Sequence, residues 1–251
     1  MRWSRTKLAI AIMALLSHKM AVAEEPRPAD PLSGSSVSGV VRFNGPIPKR
    51  KPIALREKGG KMSDCRHLHE AIVLDESLLV SDQREIANVF VYVKKGLQEK
   101  DYPLPKQPAV LNQVKCTFQP RLQGVRIGQE FSMKNSDPLL HNVRLLSFRN
   151  RPFNVAQPAK TPDRIKVFTL KEKAVKIQCD IHPWMTAYVF MVDHPFFAVT
   201  DDHGRFKING LPPGEYLLEA WHEELGDQRA TITVEENRAT EVGFAFEIKD
   251  E

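Results

Sequence analysis

The chain has 251 residues, enough for one large or two small domains with a sizeable core. It carries 36 basic and 31 acidic side chains, and four of the basic ones but none of the acidic ones lie in residues 1–23. The remainder has 32 basic against 31 acidic side chains, and this near balance argues against nucleic acid as a partner.

The amino terminus has the pattern of a secretory signal peptide. Three basic residues within positions 2–7 precede nine apolar residues at 8–16, and Ala21-Val22-Ala23 supplies a small-x-small cleavage site. Nine residues are too few for a stable membrane helix, which needs about 20. Residues 1–23 are therefore predicted to be a cleaved signal peptide rather than a short membrane anchor. We expect a secreted or periplasmic protein with no integral membrane span after cleavage.

The rest of the chain is dominated by strand signals. Residues 24–36 are rich in Pro, Ser and charge, which predicts a flexible tether. Apolar and polar side chains then alternate over 37–43, and 86–93 is a dense β-branched and aromatic run, so both are predicted strands. Further strands are predicted at 111–118, 124–134, 140–146, 165–170, 175–179 and 187–192, and alternation returns over 196–248. No segment shows a capped helical period, and the sequence therefore predicts an all-β fold.

One short loop concentrates metal-ligating side chains. Residues 175–179 alternate so that Cys179 faces a core, and His182 and Met185 follow at Cys-x2-His-x2-Met spacing. A thiolate, an imidazole and a thioether form a soft ligand set, which suits copper better than magnesium, calcium or manganese. A second histidine must come from elsewhere, and His141 supplies it where a polar turn, NSDPLL, opens the next predicted strand.

Residues 109–193 resemble the cupredoxins, the small blue copper proteins. The resemblance rests on the sequence NSDPLLHN, on a VxIGQ turn, and on the Cys-x2-His-x2-Met loop, whose spacing is most similar to that of amicyanin. It implies a Greek-key β-sandwich with one type 1 copper ion. In that site His141, Cys179 and His182 are the equatorial ligands and Met185 is the weak axial ligand.

Three further residues close to these ligands in the sequence agree with, or depart from, the cupredoxin pattern. Asn142 is similar to the cupredoxin asparagine that hydrogen-bonds across the ligand loops and fixes them. Ile177 stands where the family commonly has an aromatic residue. Asp180 adds a negative charge beside the thiolate, and we expect this charge to favour the oxidised metal.

A second resemblance covers residues 196–226. The motifs TDDHGRFKI and LPPGEYLL resemble the carboxypeptidase regulatory-like domain, a small transthyretin-like β-sandwich. Because such domains begin with strands like those predicted before residue 96, residues 37–96 and 196–248 are predicted to form one discontinuous sandwich. The cupredoxin unit at 109–193 is then an insertion. The competing interpretation is two successive domains, with 37–96 extending the cupredoxin.

The chain has three cysteines. With Cys179 assigned to a metal, Cys65 and Cys116 are left as a possible disulfide in an oxidising compartment. The alternative is a second metal site, because Cys65, His67 and His69 occupy alternate positions.

These patterns predict a one-electron carrier rather than an enzyme. Cu(I) and Cu(II) prefer different geometries, so a rigid β-scaffold that holds copper between them suits electron transfer. No nucleophile elbow, HExxH or CxxCH motif is present. The expected partner is a redox protein, such as a cytochrome or a dehydrogenase. The alternatives are copper storage or delivery, and a structural surface module with a vestigial copper site.

Overall fold

The computed structural model describes residues 35–248. The predicted signal peptide at 1–23 lies outside the described residues, as does the predicted tether at 24–36 except for its last two positions. Within the described part there are seventeen strands, one short 3-10 helix at Asp64–Leu68 and no α-helix, which confirms the all-β prediction. No helix in that part is long and apolar enough to span a bilayer.

The strands form four sheets. In chain order they are β1 (Ser36–Phe43), β2 (Phe90–Lys95), β3 (Ala109–Val114), β4 (Thr117–Gln119), β5 (Leu122–Arg126), β6 (Glu130–Asn135), β7 (His141–Leu146), β8 (Phe153–Gln157), β9 (Arg164–Val167), β10 (Glu172–Gln178), β11 (Thr186–Val192), β12 (Phe197–Val199), β13 (Arg205–Asn209), β14 (Gly214–His222), β15 (Gly226–Val234), β16 (Ala239–Glu241) and β17 (Phe244–Phe246). The first sheet has the order β13-β1-β16, with β17 also paired to β1, and the second has the order β12-β2-β14-β15. The third sheet has the order β5-β11-β10-β7-β8, and the fourth has the order β4-β3-β6-β9.

The four sheets pack as successive layers with three apolar clusters between them. In β2, Val91 and Val93 enter the cluster between the first and second sheets, while Phe90 enters the cluster between the second and third. In β11, Phe190 enters that same middle cluster and Val189 enters the cluster between the third and fourth sheets. Successive side chains of a strand point to opposite faces, so β2 and β11 are covered on both sides. This explains why both segments are nearly continuous apolar runs.

A buried carboxylate ties the second sheet to the third. The side chain of Glu219 in β14 has no solvent exposure and accepts hydrogen bonds from Lys94, Arg229 and the Tyr92 hydroxyl of its own sheet. Lys173 of β10 reaches it from the third sheet with an N–O distance of 2.8 Å. Burial alone would raise the pKa of Glu219, but the contacts with Lys173, Lys94 and Arg229 lower it to about 2.

Two predicted strands are each interrupted by a turn. The segment 111–118 is a hairpin of β3 and β4, because Lys115 and Cys116 have φ values of 50° and 52° and form a two-residue turn. The segment 124–134 divides into β5 and β6 around Gly128, whose φ is 85°. No strand is predicted at the position of β8, which directly follows Pro152 in a stretch without regular alternation.

The segment between β1 and β2 crosses to the fourth sheet. It is largely irregular, and the structure joins its Cys65 to Cys116, in the β3–β4 turn, by a disulfide. Both cysteines are fully buried in the cluster between the third and fourth sheets. The disulfide removes the Cys65 thiol, and no potential metal-binding group in residues 35–248 includes His67 or His69. The alternative of a second metal site there therefore lacks the thiolate on which it depended.

Candidate metal centre

The predicted ligands lie at one end of the third sheet. His141 is the first residue of β7 and is fully buried. Cys179 directly follows β10, Met185 directly precedes β11, and His182 lies in the loop between them. That loop is held closed because the Cys179 N–H donates to the Met185 carbonyl at 3.2 Å and the Met185 N–H donates to the His182 carbonyl at 2.9 Å. None of the four residues is more than 3% exposed.

Three of the four donor atoms converge. The Nδ1 atoms of His141 and His182 are 2.8 Å apart, and the Sγ atom of Cys179 lies 3.8 Å from Nδ1 of His182. The ligand atoms of these three residues all lie within 4.8 Å of one another. Met185 is buried in the same apolar cluster as Cys179.

Asp137 fixes the orientation of His141. Its Oδ2 atom accepts a hydrogen bond from Nε2 of His141 at 2.9 Å, so the Nδ1 lone pair faces His182 and Cys179. The backbone N–H groups of Lys115 and Cys116, in the positive-φ turn, donate to the same carboxylate at 2.6 and 2.7 Å. Two successive amides pointing at one anion form a small anion-binding nest. The Asp137 carboxylate therefore connects the disulfide-bonded turn to the histidine.

Asn142 joins the two loops of the centre. Its Oδ1 atom accepts the Cys179 thiol at 3.2 Å and the Asp180 N–H at 2.8 Å. Its Nδ2 group donates to Asn154 at 2.7 Å and to the Asp180 carboxylate at 3.2 Å. That carboxylate also forms an ion pair with Arg144, with an N–O distance of 3.1 Å. The charge of Asp180 is thus partly balanced by Arg144.

The surroundings of Cys179 favour its thiolate form. Burial raises the pKa of the thiol, but hydrogen bonds with His141 and His182 outweigh it and lower the pKa to about 6. Burial also opposes the charged form of His141, yet hydrogen bonds to Asp137 and Cys179 raise its pKa above the usual range. The lowered pKa makes it easier for Cys179 to lose the proton that must leave when a metal binds its sulfur.

The donor set fits a single copper ion. Metal–nitrogen bonds of about 2.0 Å and metal–sulfur bonds of about 2.3 Å require ligand atoms no more than about 4.3 Å apart. The distances of 2.8 and 3.8 Å meet this condition. Two imidazoles and a thiolate, with a thioether on the same loop, are the ligand types that copper prefers. A bound copper ion would supply one-electron redox chemistry at this point.

Trp184 belongs to the ligand loop and lies between His182 and Met185 in the chain. Its ring is 5.1 Å from that of His182, and its Nε1–H donates to the Cys116 carbonyl at 3.0 Å. It is partly buried against the same cluster. The tryptophan therefore packs between the histidine and the disulfide-bonded turn.

Sequence reasoning missed the part played by Asp137. It treated this residue only as one of the polar residues of a turn. The four-residue interval between Asp137 and His141 is a usable signal, because a carboxylate at that distance within a turn can reach back to the imidazole. No sequence pattern indicates that the N–H groups of Lys115 and Cys116 donate to Asp137, since their orientation depends on the positive-φ turn.

Comparison with known proteins gives limited matches. The family model described as polysaccharide lyase family 4, domain II, matches residues 184–242. This description differs from the carboxypeptidase regulatory-like domain that the sequence motifs resemble. None of the curated proteins compared with the chain matches it.

Similar solved structures include copper proteins. A copper-containing nitrite reductase from Thermus scotoductus SA-01 is 16% identical, with a TM-score of 0.33 over 40% of this chain and 26% of that one. A purple cupredoxin from Nitrosopumilus maritimus is 18% identical, with a TM-score of 0.29 over 34% of this chain and 99% of that one. An oxidised amicyanin mutant is 16% identical, with a TM-score of 0.31 over 39% of this chain and 100% of that one. The chain thus spans about a quarter of the nitrite reductase.

Proposed function

We propose that this protein binds one copper ion through His141, Cys179, His182 and Met185 and carries single electrons. The observation that carries the proposal is the convergence of two imidazole nitrogens and a cysteine sulfur within 4.8 Å in a buried pocket. Cysteine and methionine sulfur favour Cu(I), imidazole accepts both oxidation states, and the surrounding sheets hold the ligands in place.

Burial favours electron transfer over the alternatives. With all four residues at most 3% exposed, a substrate has no direct approach to the ligands. The same burial slows the exchange of metal that a storage or delivery protein needs. Electrons can cross a thin protein layer, whereas a metal ion cannot do so without local opening. The proposed donor or acceptor is a redox protein, such as a cytochrome or a dehydrogenase, in a secreted or periplasmic setting.

The decisive experiment is the absorption spectrum of copper-loaded protein. A type 1 site is expected to show an intense thiolate-to-copper band in the visible range that is lost in Cys179→Ser. His203→Gln is the matched control, because His203 is largely exposed and lies in the turn between β12 and β13, outside the sheet that carries the ligands. Tight copper binding without the band would favour storage or delivery. Failure to bind copper would favour the structural surface module and refute the proposal.

We also propose that the cupredoxin unit at 109–193 is inserted into a sandwich formed by 37–96 and 196–248. Two pairings support this arrangement: Val37 of β1 opposes Ile208 of β13, and β2 pairs with both β12 and β14. Nuclear Overhauser contacts between β1 and β13 in solution test it. Contacts of β1 with the third or fourth sheet instead would favour two successive domains.

A further inference from the structure

The turn between β7 and β8 presents a bare aromatic side chain. Phe148 is 99% exposed, although a phenylalanine side chain normally contributes its apolar surface to a core. Leu170, in the neighbouring β9–β10 connection, is also 44% exposed. Since β7 runs from His141 to this turn and β10 runs from beside it to Cys179, this turn lies at the opposite end of the third sheet. The seven residues of β10 put it roughly 20 Å from the centre.

Side-chain hydrogen bonds hold the backbone of this turn in place. The carboxylate of Glu172 accepts hydrogen bonds from the Ser147 hydroxyl at 2.5 Å and the Phe148 N–H at 2.7 Å. Asn150, itself buried, donates to the Leu170 carbonyl and accepts the Leu170 N–H at 3.1 Å. These bonds fix the backbone on both sides of Phe148. An exposed aromatic side chain on a rigid turn loses little conformational freedom when it binds.

The surface around this turn is basic. Arg149 and Arg151 follow Phe148 and are exposed, and Lys171 beside them is 60% exposed and pairs with Asp193 at 2.7 Å. Arg149 and Lys171 also line an adjoining cavity of about 1150 Å³, but three lysines of its lining are neutralised: Lys94 and Lys173 pair with Glu219, and Lys171 pairs with Asp193. The positive charge next to Phe148 is therefore that of Arg149 and Arg151.

We propose that this turn, Ser147–Arg151, docks the protein on an anionic phospholipid bilayer. Phe148 would enter the interfacial region while Arg149 and Arg151 contact lipid phosphates. An anionic bilayer surface can receive an exposed aromatic ring in its interfacial region and contact two neighbouring arginines with its phosphates at the same time. The docked protein would keep its metal end turned away from the membrane. This proposal does not depend on copper.

Co-sedimentation of the full chain with lipid vesicles tests the proposal. Wild-type protein should bind vesicles of equal parts phosphatidylglycerol and phosphatidylcholine, and bind pure phosphatidylcholine much less. Phe148→Ser should weaken binding to the anionic vesicles about tenfold, and Arg149→Gln with Arg151→Gln should weaken it roughly fivefold per arginine removed. Because the apolar segment 8–16 can also bind lipid, the readout is the difference between each variant and the wild type.

Matched controls carry the same changes elsewhere. Ile72→Ser removes a side chain that is 75% exposed, and Arg205→Gln with Lys207→Gln removes two exposed charges from the first sheet. Both controls should bind as the wild type does. All variants should keep the wild-type melting temperature, since the altered side chains are exposed.

Three outcomes would overturn the proposal. The first is wild-type protein that stays in solution with anionic vesicles. The second is vesicle binding that the changes at Phe148 or at the two arginines leave at the wild-type level. The third is concentration-dependent self-association that Phe148→Ser abolishes in the absence of vesicle binding, which would assign the turn to a second copy of the chain.

Discussion

The substitution Glu219→Gln tests whether the buried carboxylate holds the second and third sheets together. Lowering the pKa of Glu219 from 4.5 to about 2 corresponds to about 3 kcal/mol of stabilisation of the charged form. The lysines and the arginine around it are between 28% and 53% exposed, and solvent screening reduces the figure to about 2 kcal/mol. In a chain of this size such a loss lowers the melting temperature by roughly 4–8 °C.

The pH dependence of this loss gives the sharper test. A carboxyl group whose pKa is lower in the folded than in the unfolded state stabilises the fold above the unfolded value. That stabilisation disappears as pH falls toward the folded value. The difference in melting temperature between wild type and Glu219→Gln should therefore reach its maximum by pH 7. At about pH 3 it should be less than half of that maximum.

Thermal unfolding followed by tryptophan fluorescence measures both quantities. Glu235→Gln is the matched control, because the Glu235–Arg238 pair is exposed on the surface and should contribute little. A difference between wild type and Glu219→Gln that is negligible at pH 7, or equal at pH 7 and pH 3, would falsify the assigned role of Glu219.

Two further substitutions probe the metal centre and the first sheet. Asp137→Asn weakens the acceptor that orients the histidine ligand and should lower copper affinity by roughly 10–100-fold, measured by competition with a chelator; unchanged affinity would contradict that role. Gly39→Ala places a Cβ atom 1.7 Å from the Val242 carbonyl oxygen, so we expect a loss of at least about 2 kcal/mol of stability in thermal unfolding. Gly243→Ala, whose nearest contact is 3.5 Å, should change stability by no more than about 0.5 kcal/mol, and equal effects of the two changes would refute the steric argument.

The all-β class and the convergence of His141, Cys179 and His182 follow from local signals. Strand alternation decides which face each side chain takes, and two of the three residues share one short loop. A spacing of three residues keeps such a pair close in almost any turn. The remaining histidine could be predicted because it opens a strand directly after a run of turn residues.

Other features depend on contacts between distant parts of the chain. The β3–β4 turn requires two consecutive residues with positive φ, Lys115 and Cys116, and neither is glycine or asparagine. Glu219 meets Lys173 only because the second sheet packs on the third, a relation that no local pattern encodes. The exposure of Phe148 was also unpredictable, because an aromatic residue beside a strand usually indicates a core.

Because other sheets cover β11 on both faces, its pairing register is tightly constrained. A slip of one residue in its pairing would exchange its two faces and move Phe190 into the cluster now filled by Val189. Both clusters would lose their packing at once, so the register of β11 is fixed from two sides. Met185 directly precedes this strand, and its position along the chain is therefore set by two cores rather than one. The ligand loop therefore ends at a residue whose place is held by the packing of β11 on both of its faces.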